Sequence, residues 1–71
     1  MTKIEELYAQ IGKELETCDG EETPVICGNL SDEKNKACII QTVAEYVLSM
    51  QVTITQAIIE VEKSFALNDI D

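Results

Sequence analysis

From residue 40 to residue 65 apolar side chains return every seven positions, and this periodicity constrains the fold more than any other feature of the chain. Ile40, Val47, Ile54 and Val61 form one column; Val43, Met50 and Ala57 form a second. Ala44, Ile58 and Phe65 fill part of a third, while Thr42, Glu45, Ser49, Gln56, Glu60 and Lys63 fall on the opposite side. Two faces that hold phase over such a length specify an amphipathic helix with one buried side. Ser31 is suited to the N-cap, and Asp32 and Glu33 complement the positive helix end. The spacing predicts a long helix from about residue 31 to about residue 67.

One stretch inside that span, SMQVTITQ, works against continuity. Val52, Thr53, Ile54 and Thr55 are β-branched and lower helix propensity. Thr53 followed by Gln56 also has the pattern that caps a new helix after a short break. Against this, the segment lacks Gly, Pro, Asn and Asp, and both stripes cross it without a phase change. One continuous helix is therefore the expectation. The alternative is a three-helix bundle with a break near residues 49–53.

A shorter helix precedes it, over about residues 2–18. Thr2 and Glu5 form a T-x-x-E capping box, and Ile4, Leu7, Tyr8, Ile11, Leu15 and Cys18 make one apolar stripe. Gly12 interrupts its interior, either as a weakness or as a place where another helix comes close. Asp19-Gly20 provides the stop, a turn fills 19–30, and a short acidic tail fills 68–71. The class is all-α, a helical hairpin of unequal arms in a single domain. At 1.5 Å per residue the long arm measures roughly 54 Å and the short arm roughly 25 Å. The short arm leaves Ile54, Ile58, Val61 and Phe65 uncovered, and apolar area on that scale is rarely left open. Pairing of two chains into a four-helix arrangement is thus expected, with Val47, Met50, Ile54, Ile58, Val61 and Phe65 as the dimer or partner surface.

Charge narrows the choice of partners. Fourteen acidic residues face five lysines, with no Arg and no His, for a net charge of −9. Such a surface repels nucleic acid and anionic lipid; the excess is read first as a source of solubility and, as the sharper alternative, as attraction to a basic protein surface. The least polar run, residues 37–59, contains Gln41, Thr42, Glu45, Ser49, Gln51, Thr53, Thr55 and Gln56, too many polar groups for a membrane span. The opening MTKIEELYAQ lacks an apolar signal-peptide core, and the three cysteines are an odd number. A cytoplasmic protein with free thiols is expected.

Catalytic chemistry finds little to work with. Without His, acid–base work falls to carboxylates, Lys, Tyr or Cys. The acidic neighbours Glu5/Glu6, Glu21/Glu22, Asp32/Glu33 and Glu60/Glu62 read as solvated faces and helix ends. No phosphate-loop, dinucleotide, zinc-protease or nucleophile-elbow motif is present. The chain is read as a non-enzyme with no cofactor.

The stretch CDGEETPVICGN, residues 18–29, comes nearest to a site. Cys18 and Cys27 are nine apart, which is wrong for the usual zinc pairs, and its carboxylates lack the EF-hand pattern. Free thiols come first in the reading, a Cys18–Cys27 bridge second and a metal third, so no metal ligands are assigned. Cys27, placed in the loop, is the candidate reactive thiol. Val25 and Ile26 either plug the open end of the bundle or, with Cys27, anchor a partner. The expected function is protein binding by a small acidic helical protein: an inhibitor, adaptor, immunity-type or chaperone-like regulator. A self-assembling structural oligomer is the alternative, and a thiol or metal sensor stands third.

Overall fold

The computed structural model describes residues 2–18 and 20–69, and the side chains to residue 67. Four helices follow one another: α1 (Lys3–Glu16), α2 (Pro24–Asn29), α3 (Glu33–Met50) and α4 (Ile54–Asp69). The described residues are thus all-α, as the periodicity implied.

α1 starts where the capping pattern places it. The Glu5 amide donates to the Thr2 hydroxyl oxygen at 3.3 Å, and that hydroxyl donates to the Glu5 carboxylate at 3.0 Å. The helix ends two residues short of the expected bound, because the Thr17 and Cys18 amides turn back to the carbonyls of Glu14 and Leu15. This tightened last turn satisfies carbonyls that have no partner further along. Ile11 and Leu15 are its buried residues, and Ile40 Cδ1 approaches Gly12.

The long helix is corrected. It breaks after Met50, and α3 and α4 are bent by 116° at the break. Gln51 takes the left-handed conformation (φ 55°, ψ 41°), its amide closing α3 on the Val47 carbonyl. Thr53 then caps α4, its hydroxyl accepting from the Gln56 amide at 3.1 Å. The sequence lacks the Gly or Asn that usually takes the left-handed position, and Gln51 takes it at some cost in backbone strain. The start of α3 is corrected by one residue. Asp32, rather than Ser31, is the N-cap, accepting from the amides of Lys34 and Asn35.

The break folds the second half of the stripe back onto the first. Ile11, Leu15, Ile26, Ile39, Val43, Ala44, Ala57 and Val61 form the core. Ile54, Ile58 and Phe65, which a straight helix would leave in water, pack against it. The molecule measures 37 × 25 × 19 Å with a radius of gyration of 11.5 Å, close to the roughly 11 Å of a compact chain this long. The coverage problem that called for a second chain is solved within one. No single helix among the described residues is long and apolar enough to span a membrane; α3 and α4 reach that length only as the bent pair.

Two expected boundaries fall differently. The turn at 19–30 contains α2, and the tail expected at 68–71 begins inside α4, while Asp19, Ile70 and Asp71 lie outside the described residues.

Candidate functional site

The structure knots the 18–29 stretch into a small polar junction. Cys18 and Cys27 are joined in a disulfide with their Cα atoms 5.9 Å apart. Thr23 is buried, its hydroxyl 3.3 Å from the Cys18 sulfur and 3.2 Å from the Cys27 sulfur. Pro24 then opens α2, where its missing N–H costs nothing and its fixed φ suits the helix. Thr23 gives α2 no side-chain cap. The open amides are taken from across the molecule instead: Ile26 donates to Glu62 Oε1 at 2.9 Å and Val25 to Oε2 at 3.3 Å.

The far end of α2 is tied down as well. Asn29 Nδ2 donates to the Val25 carbonyl at 2.8 Å, and Asn35 Nδ2 donates to Asn29 Oδ1 at 3.0 Å. Ile26, fully buried, plugs the core from this short helix.

These positions revise the expected site. Cys27 is not a free loop thiol but a half-buried member of the disulfide; the free, exposed thiol is Cys38 on α3. Ile26 and Val61 are core residues and have no surface to offer a partner. Val25, Val47, Ile54, Ile58 and Phe65 are half-buried, and Met50 is exposed. Glu62 is not on a solvated face: it is 6% exposed, with both carboxylate oxygens engaged. A signal for it exists in the sequence. Glu62 lies three residues after Ile59 and four before Ala66, so it interrupts an apolar line, and a carboxylate there needs a buried partner.

Beside the disulfide lies a groove of about 130 Å³ between the end of α1, the turn and the start of α4. Leu15, Cys18 and Ile58 line its inner part, and the exposed Glu14, Glu22 and Thr55 its mouth. No buried side-chain nitrogen or oxygen among the described residues lacks a hydrogen-bond partner. Nor do three His, Cys, Asp or Glu among them gather closely enough to hold a metal ion. The junction ties α1, α2 and α4 together, and the groove beside it is a concave surface with polar and apolar groups side by side.

Compared with models of known protein families, with curated proteins and with solved structures, the chain matches none. Its function has to be read from its own residues.

Proposed function

We propose that this protein is a small, acidic, non-catalytic helical regulator that acts by binding a basic surface on another protein. The acidic excess carries this reading. Were each of the five lysines to neutralise one carboxylate, nine of the fourteen would remain, on a chain of 71 residues. A field of that sign accelerates encounter with a basic patch and rejects nucleic acid and anionic membranes. A basic surface that ordinarily holds nucleic acid is a natural target. The buried core, with Ile11, Ile26 and Val43 fully enclosed, supports a rigid presenter of charge rather than a chain that folds on binding.

The experiment is to identify the partner by affinity capture from the native host and titrate the purified pair at two ionic strengths. Affinity is expected to fall steeply as salt rises from 50 to about 300 mM, through a slower association rate. An affinity flat across that range would count against steering.

A second reading rests on a separate observation. Leu48 and Met50, two residues apart at the end of α3, are each 59% exposed. They support self-association at the α3–α4 corner, in place of the long-helix pairing first expected. Light scattering at high micromolar concentration tests it: a strictly monomeric mass leaves only the partner-binding reading.

A further inference from the structure

We infer that the groove between the end of α1 and the start of α4 receives one lysine or arginine side chain of a basic protein partner. The inference rests on the partner-binding reading and gives it an address. Size decides first. At about 130 Å³ the groove is well below the roughly 300–1,000 Å³ of sites for drug-sized ligands and cofactors. It is of the order of the roughly 150 Å³ cavity that takes up a single benzene, but it is open to solvent on one side, as a side chain entering from a partner requires. One side chain fits it.

The lining decides which side chain. Leu15 and Ile58 supply apolar surface inside, and Glu14 and Glu22 are exposed at the mouth. A lysine or arginine has the same order along its length, an aliphatic stem that packs on apolar surface and a cationic head that stays near water. An uncharged apolar side chain would leave the two carboxylates without a counter-charge, and an acidic one would meet like charge. The wall is held in place from behind. Cys18 lines the groove and is covalently joined to Cys27 in α2, so the 18–27 segment that carries Glu22 is anchored at both ends. A site fixed before the partner arrives loses little entropy on ordering.

The test titrates the intact, oxidised protein with a capped pentapeptide carrying one lysine among alanines, followed by ¹H–¹⁵N NMR. A norleucine twin keeps the stem and lacks the charge. The lysine peptide is expected to shift the amides of Leu15, Cys18, Ile58 and Ile59 saturably, and the norleucine peptide to leave them unmoved. Glu14→Gln with Glu22→Gln should weaken the peptide about fivefold, the size expected of two partly exposed charge contacts. A control pair, Glu33→Gln with Glu45→Gln, removes the same charge elsewhere and should leave the affinity within about twofold. Equal weakening by both pairs, equal binding of the norleucine twin, or shifts spread away from the groove overturns the assignment. In each of those cases a salt-dependent complex with a basic protein would still stand, and only its address would be lost. A captured partner whose affinity ignores salt would remove the underlying reading itself.

Discussion

The Glu62 carboxylate accepts a 2.9 Å hydrogen bond from the Ile26 amide, thirty-six residues earlier in the chain. Its other oxygen accepts from Val25, so one side chain of α4 closes the N-terminus of α2. A six-residue helix is too short to hold itself together in water, and tertiary contacts have to supply what its length does not. The carboxylate supplies acceptors, and its negative charge faces the positive end of the helix. Glu62 thereby couples the plug formed by Ile26 to the helix that the plug covers.

Removing that acceptor should be costly in proportion to what is left unpaired. Glu62→Ala leaves the buried Ile26 amide without a partner and should destabilise the protein by about 2 kcal/mol. Glu62→Gln keeps a carbonyl oxygen for one amide and should lose about half as much. Urea denaturation checks both through the midpoint at unchanged slope. Equal stability of the alanine variant and the parent would show that water replaces the carboxylate without loss.

How much of this junction is legible in the sequence depends on the kind of signal each residue carries. The capping of α1 by Thr2 is local, a matter of three residues, and it is read directly. The cap of α2 is not local. Its donors and acceptor lie in separate segments, and only the apolar line that Glu62 interrupts hints that the side chain points inward. The disulfide is legible as a possibility, since Cys18 and Cys27 flank a Gly/Pro-marked turn. That they meet depends on α2 forming, and a helix of six residues leaves no periodicity to read.

The fold hinges on Gln51, whose positive φ is unique among the described non-glycine residues. A glycine there removes the Cβ clash of the left-handed conformation, about 1–2 kcal/mol, and costs about 0.5–1 in unfolded-chain entropy. Gln51→Gly should therefore stabilise the protein by up to about 1 kcal/mol. Gln51→Val, which is β-branched, should destabilise it by more than that. Thermal unfolding followed by circular dichroism ranks the three proteins. A parent more stable than the glycine variant would mean that the Gln51 side chain contributes more than its strain costs.

The same residue explains why periodicity alone misplaces the architecture. A break of three residues, Gln51 to Thr53, lets the apolar columns resume in phase after a sharp bend. Helical phase is blind to direction when the interruption is short, so Val47 and Ile54 share a column in the sequence and not a straight helix. The informative signals were the β-branched run and the Thr53-x-x-Gln56 pattern. The capping pattern holds, since the Thr53 hydroxyl accepts from Gln56.

The disulfide closes a loop of about ten residues, a constraint that stabilises by about 2–3 kcal/mol in the chain-entropy account. Reduction should lower the melting temperature by about 10–20 °C in a domain of this size. Cys18→Ser with Cys27→Ser should start from the lower value and ignore added reductant. Thiol titration gives an independent reading: the native protein should expose one reactive thiol, Cys38, and the reduced, unfolded protein three. Three reactive thiols before reduction would show that the bridge is not made.

Gly12 is the place where the sequence left two readings open, and the contact with α3 chooses between them. A Cβ at Gly12 would lie 3.9 Å from Ile40 Cδ1, ordinary van der Waals contact rather than a clash. The glycine is therefore not required for the approach of α3, and its helical backbone suits alanine. Gly12→Ala should stabilise the protein by about 1 kcal/mol through helix propensity alone, with a small added gain from the new contact. Gly12→Leu, by contrast, has to place a long side chain against Ile40 and should destabilise by about 1–3 kcal/mol. Urea midpoints of the two variants against the parent decide the matter. A less stable alanine variant would mean that α1 and α3 pack with no room for even one methyl group.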